Sequence, residues 1–166
     1  MEIYILRHGE ADPHELGLPD KDRALTPKGK RDVRAVATLA RRMKASPGAI
    51  FTSPLRRARE TAAEAAAVFE GPQPTETDAL LPDARPELLW QQIVHLGSHS
   101  KGTLEEILVA GHEPHMSRLT AFLLEAAVVV DFKKSAMVRI STPAKNGPPR
   151  GVLKWMITPA AAKRAK

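Results

Sequence analysis

Three short segments of the chain carry residues suited to holding and attacking a phosphoryl group. The first is Arg7-His8-Gly9, where a guanidinium and an imidazole end the apolar run Ile3-Tyr4-Ile5-Leu6. A neutral imidazole is a nucleophile when one ring nitrogen is free to attack and the other is held as a donor. An arginine beside it supplies a permanent charge in a planar fork that binds oxygens bidentately. Gly9 lets the backbone turn sharply or approach a ligand closely. The second segment is Ser53-Pro54-Leu55-Arg56-Arg57-Ala58-Arg59-Glu60-Thr61, rich in guanidinium groups. The third, Gly111-His112-Glu113-Pro114, adds another imidazole. Each segment is short, and its value lies in where the three are placed.

That placement follows from the elements. Glu2 to Leu6 reads as a strand, and residues 11 to 25, with Pro13, Gly17 and Pro19, as a polar loop. Thr26-Pro27 is a helix start, the threonine as N-cap and the proline at the first helical position. From there to Lys44, Val33, Val36, Ala37, Leu39, Ala40 and Met43 recur at helical spacing. Ser46-Pro47-Gly48 ends that helix, and Ala49 to Thr52 is a short strand. Ser53-Pro54 repeats the cap-and-proline signal and opens an alanine-rich helix to about Phe69. Thr75 to Asp78 reads as an edge strand, Leu80 to Pro86 as a loop, Glu87 to Leu96 as a helix and Gly97 to Gly102 as a turn. Glu105 to Ala110 is a strand, Pro114 to Ala127 a helix, and Ala136 to Ser141 and Val152 to Ile157 are strands joined by a turn.

Strands alternating with helices predict an α/β fold, a three-layer α/β/α sandwich with a mostly parallel central sheet. The last two strands form an antiparallel edge. Residues 1–158 read as one domain, and 159–166 as a basic C-terminal tail, frayed or a short surface helix. In a parallel sheet the ends after Leu6, Thr52 and Ala110 lie on one edge, where ligands of open α/β sheets bind. Two of these ends also open helices, whose N-termini favour anions.

Composition narrows the classes. The chain has no cysteine among its 166 residues, which excludes disulfides, thiolate catalysis and cysteine-ligated zinc. A net charge of +6 favours anionic partners as a field effect. Aromatics make up only 4% and none is interleaved with the basic clusters, so no base-stacking surface and no nucleic-acid partner is expected. The apolar stretches are too short to span a bilayer. The first strand begins almost at Met1, leaving no room for a signal peptide. A soluble cytoplasmic protein without a membrane partner is the expectation.

The three motifs, in this order and at these strand ends, resemble the histidine phosphatase superfamily with its phosphoglycerate mutase-like fold. Arg23-Ala24-Leu25-Thr26-Pro27-Lys28-Gly29 adds a fourth match. The short length and this loop are similar to the small phosphohistidine phosphatase (SixA) branch. The resemblance implies a covalent phosphohistidine intermediate on His8. Arg7 and Arg57 would clamp the phosphoryl oxygens, Arg57 being marked by the family spacing, while Arg56 and Arg59 are solvated. His112 would donate to the same oxygens, its alternative role being a helix cap. Gly9, Arg23 and Glu113 are candidates for substrate binding, with Arg23 either at the pocket mouth or an exposed loop charge. His115 reads as a helix-surface residue near the rim. No metal or other cofactor is called for, and the pair His95 and His99 lacks the carboxylate of a zinc motif.

Many superfamily members carry a glutamate acid after the third strand, where this chain has Asp78-Ala79-Leu80-Leu81-Pro82-Asp83. The candidate acids are Asp83 and Glu113, with Glu10 third. Lacking a clear acid tells against esters, since proton transfer is typically worth ~10²–10⁴-fold. It is tolerable for phosphohistidine, whose P–N bond is labile. The leading expectation is therefore a phosphatase acting on phosphohistidine of a protein, with a histidine phosphotransfer domain as the partner the resemblance implies. The alternatives are a phosphatase of small phosphomonoesters or nucleotides and a non-catalytic anion-binding module.

Overall fold

The computed structural model describes residues 1–13, 17, 19–99, 105–143 and 147–165. Its centre is β1 (Glu2–Arg7), flanked on both sides by other strands. Ile3, Tyr4, Ile5 and Leu6 are all fully buried, and they divide by the two-residue period of a strand. Tyr4 and Leu6 face one core, Ile3 and Ile5 the other. A strand covered on both faces reads as a continuous apolar run, which is why no alternation marks it in the sequence.

The sheet has six strands in the order β3-β2-β4-β1-β5-β6. Parallel pairing joins β1, β2 (Ala49–Thr52), β3 (Thr75–Glu76) and β4 (Glu106–Gly111). Antiparallel pairing adds β5 (Met137–Ser141) to β1, and β6 (Val152–Ile157) to β5. Over one face lie α1 (Pro27–Arg42), α2 (Arg56–Phe69) and α5 (Pro159–Arg164); over the other lie α3 (Pro86–His99) and α4 (His115–Leu124). This is the three-layer α/β/α architecture with an antiparallel flank that the strand–helix alternation predicts.

Position β4 is decisive, because it separates β1 from β2. Leu6 and Thr52 both pair with Ala110, and Arg7 pairs with Gly111. The three chain exits are therefore level with one another. Backbone bonds carry the register past the strands: Ser53 N–H donates to Ala110 O at 3.1 Å, and His8 N–H to Gly111 O at 2.9 Å.

Helix α1 starts as its sequence dictates. Thr26 Oγ1 accepts from Gly29 N–H at 3.0 Å, with Pro27 in the first position. Gly29 lies against the exit of β1, where an added Cβ would come within 2.1 Å of Glu10 O. Only glycine lets the helix approach that closely.

Among the boundaries that differ from the sequence reading, those of two helices bear on the site and its cover. Helix α2 begins at Arg56 rather than Pro54, with Leu55 in place of Ser53 as the N-cap and making no side-chain bond. Ser53 is turned into the sheet edge instead. Helix α3 continues through Gly97, where no atom lies within 4 Å of an added Cβ. A helical glycine costs only about 1 kcal/mol, which the buried Leu89, Trp90 and Ile93 offset. The C-terminal segment is a short surface helix, one of the two forms expected of it, and it lies against α1: Ala162 is buried and Lys163 Nζ lies 2.6 Å from Asp32 Oδ1.

Candidate active site

The exit of β1 places His8 at the sheet edge, 8% exposed. Its Nδ1 lies 2.7 Å from Gly9 O. A carbonyl only accepts, so Nδ1 carries the proton and the lone pair of the neutral ring sits on Nε2. Burial pushes the His8 pKa down to about 4, with the charges of Arg57, Arg7 and Lys134 acting in the same direction. The imidazole is thus neutral and of one tautomer at pH 7. Gly9 N–H donates to Thr61 Oγ1 at 3.0 Å, while that hydroxyl donates to Arg57 O at 2.7 Å. One threonine so ties the His8 turn to helix α2, four residues after Arg57.

His112 leaves β4 beside it, with ring centroids 5.0 Å apart and planes tilted by 52°. It is 2% exposed, and its Nε2 lies 2.9 Å from Ser53 Oγ. Burial lowers its pKa to about 3, helped by His8 and Arg57. His112 does not cap α4, whose N-cap position is Pro114.

Arg7 and Arg57 complete the cluster. Arg7 donates through one terminal nitrogen to Phe132 O, on the segment that also bonds His8 O through Ser135 N–H at 3.1 Å. Arg57 is buried, and both its terminal nitrogens go to Asp20: one to the carbonyl at 2.8 Å, one to Oδ2 at 3.0 Å. Asp20 also takes Arg23 at 2.8 Å on Oδ1. Burial alone would raise the Asp20 carboxyl; the bonds from Arg23 and Arg57 outweigh it and hold the pKa below the usual range. Arg23 is thereby a paired, largely covered charge rather than an exposed one. It braces the acid that orients Arg57.

The donor inventory of this cluster is incomplete. Arg7 Nε, Arg57 Nε and His112 Nδ1 are buried without a hydrogen-bond partner. Buried donors are seldom left so.

The acid candidates fare differently. Glu10 accepts from Thr26 Oγ1 and Lys28 Nζ, each at 3.1 Å, and those bonds lower its pKa. It is an ionised carboxylate serving the start of α1. Glu113 accepts from Ser117 Oγ at 2.7 Å through Oε2, while Oε1 is buried and unpartnered. Asp83 is exposed in the turn before α3. His115, expected on the surface, is fully buried with neither ring nitrogen hydrogen-bonded, and burial together with Arg118 lowers its pKa to about 4. The first position of α4 faces the sheet, and the residue type did not reveal that. Of the remaining histidines, His14 and the side chain of His99 lie outside the described residues. Among the described residues no group of three His, Cys, Asp or Glu is arranged to hold a metal ion.

Asp20, Ser53, Thr61 and Lys134 were missed as site residues. Thr61 was detectable, because a spacing of four on α2 puts it on the face of Arg57. Ser53 was hidden by its resemblance to an N-cap. Asp20 is one of three aspartates in a polar loop without periodicity.

Comparison with known proteins gives the family and the fold. The family model described as histidine phosphatase superfamily (branch 1) matches residues 3–85, half of the chain. The protein belongs to that superfamily. An uncharacterized protein of Picosynechococcus sp. is 33% identical over 118 residues, 70% of this chain and 68% of the relative. Among solved structures, the protein histidine phosphatase SixA complexed with tungstate superposes with a TM-score of 0.84 at 24% identity, covering 96% of this chain and 98% of that one. A mycobacterial glucosyl-3-phosphoglycerate phosphatase gives 0.70 at 16% identity, covering 92% and 96%. These two likenesses establish the fold.

Proposed function

We propose that the protein is a phosphohistidine phosphatase, removing phosphate from a histidine on a partner protein, with a histidine phosphotransfer domain as that partner and the cytoplasm as its place of action. The observation that carries the reading is His8: buried, neutral, its Nδ1 committed to Gly9 O, its Nε2 lone pair beside Arg7, Arg57 and His112. In the first step Nε2 attacks phosphorus in line and the P–N bond of the substrate breaks; its electron pair stays on the substrate nitrogen, and the ring, already protonated on its other nitrogen, leaves as neutral imidazole. Arg7, Arg57 and His112 hold the phosphoryl oxygens through the donors that lack partners. Water then attacks phosphorus on His8, releasing inorganic phosphate and the neutral imidazole. The cations that balance charge are side chains, and the proposal requires no metal.

Phosphohistidine is favoured over esters by the carboxylates. Glu10 is held ionised by Lys28 and Thr26, Asp83 is exposed, and Glu113 is engaged by Ser117. A nitrogen leaving group protonates readily, whereas an alkoxide needs an acid. Turnover of a phosphohistidine protein, phosphoramidate and sugar phosphates tests this. The expected result is that kcat/KM for the first exceeds that for sugar phosphates by at least ~10²-fold. Equal or better efficiency on sugar phosphates would move the assignment to phosphomonoesters. Phosphate binding with no turnover of any compound would favour a binding module.

A further inference from the structure

We infer that Ser53 is a positioning residue that fixes the tautomer of His112, making Nδ1–H the donor that faces the phosphoryl group. Ser53 is fully buried and His112 nearly so. The serine hydroxyl accepts from Leu55 N–H at 3.3 Å and lies 2.9 Å from His112 Nε2. Among the described residues its own proton has one acceptor within reach, and that is Nε2. When the hydroxyl donates, Nε2 bears the lone pair and Nδ1 bears the hydrogen. The alternative tautomer would have Nε2–H donate to Ser53. The serine proton would then be orphaned, and Nδ1 would present a lone pair.

Nδ1 is the atom that decides between these. It is buried with no partner in the protein. As an N–H it awaits an oxyanion acceptor; as a lone pair it would repel one. Isolated neutral imidazole favours hydrogen on Nε2, so an outside contact is needed to reverse the preference, and Ser53 supplies it. The low pKa of His112 agrees, since the tautomer question arises only for a neutral ring. The two histidines are then set by different means to the same state. A backbone carbonyl holds the proton on Nδ1 of His8, and a hydroxyl holds the lone pair on Nε2 of His112. Both rings carry hydrogen on Nδ1, yet His8 directs its lone pair at phosphorus and His112 its proton at oxygen.

The backbone explains why a serine can do this. Ser53 N–H is bonded to Ala110 O, which locks the residue after β2 to the strand that delivers His112. The hydroxyl is thus carried by the same register that aligns the strand ends.

This assignment rests on reading the pocket as a phosphoryl site, and the test separates the two claims. Long-range proton–nitrogen correlation of the ¹⁵N-labelled protein at pH 7 reports each histidine tautomer, and titration with inorganic phosphate reports the cradle. The wild type is expected to show His112 as Nδ1–H. Ser53→Ala should shift His112 towards Nε2–H, leave His8 unchanged, and weaken phosphate about tenfold, the loss of one donor. Ser53→Thr, which keeps the hydroxyl, should restore both. In turnover, Ser53→Ala should lower kcat more than it raises KM. A wild-type spectrum with His112 as Nε2–H overturns the inference, whether or not the variants fold. So does Ser53→Ala with an unchanged tautomer and phosphate affinity. Neither readout uses a phosphoprotein, so an Nδ1–H spectrum with phosphate binding supports the assignment even where phosphohistidine is not turned over, a result that would count against the proposed substrate alone.

Discussion

The two ends of the parallel strands treat their polar groups in opposite ways. At the N-terminal end, Glu106 Oε2 accepts from Tyr4 Oη and from Ser46 N–H, both at 2.7 Å, and Glu2 accepts from Arg139 at 2.6 Å. These groups finish one another. At the C-terminal end, Arg7, Arg57 and His112 each retain a buried nitrogen without an acceptor, and the two imidazoles are kept neutral by burial next to guanidinium charges. On the same sheet, with the same register, the carboxylates of one end are partnered within the protein, while the other end gathers guanidinium groups and neutral imidazoles whose buried nitrogens lack an acceptor among the described residues. An unsatisfied buried donor costs about 1–3 kcal/mol. Holding several together is a stability cost, which an anion bound as proposed above would recover.

Substitutions at either end should break this contrast in different currencies. His8→Ala is expected to remove at least ~10³-fold in turnover while phosphate still binds, as measured by steady-state kinetics and titration calorimetry. Near-wild-type turnover would take His8 out of the nucleophile role. Arg57→Ala should lower kcat/KM by about 10²–10³-fold, the usual cost of losing an oxyanion donor. At the opposite end, Glu106→Ala should leave kcat/KM unchanged and lower stability by about 1–2 kcal/mol in chemical denaturation, because Tyr4 and Ser46 lose their acceptor. A large activity loss there would contradict the division between the ends.

Acid sharpens the comparison further. His8, His112 and His115 have folded pKa values near 4, 3 and 4, all below the ordinary 6.5. Between pH 6.5 and those values the unfolded chain binds protons that the folded chain does not, so stability falls as pH falls through that window. His115, buried and unpartnered, should contribute on the order of 2 kcal/mol to the loss between pH 7 and 5. His115→Leu should shrink the acid-induced loss by that amount, read from denaturation curves at the two pH values. Activity responds in the same direction: kcat/KM on an acid-stable substrate should hold as pH drops through 6.5 and fall only near pH 4, where His8 gains its second proton.

Much of this was legible in the chain. The apolar run ending at Arg7-His8-Gly9, the Thr26-Pro27 start and the β4 run into Gly111-His112 all express local chemistry, and each element formed as its residues dictate. What escaped was decided by tertiary contact. The Asp20–Arg57 pair joins residues 37 apart in sequence, and Ser53–His112 joins residues 59 apart. Nothing in either neighbourhood specifies the partner. His115 was misplaced because polarity argued for the surface while its position on α4 faced the core. Gly97 reads as a helix stop, but a single glycine is outweighed by an apolar face that is already docked.

The central claim is that His8 attacks through Nε2. Rapid quenching of the protein with a phosphorylated substrate, followed by ³¹P spectroscopy and peptide mapping, tests it directly. The account predicts a phosphoryl group on Nε2 of His8, absent from His8→Ala. A label on Nδ1 or on another residue, or full turnover with no enzyme-bound phosphate at any time, would contradict it.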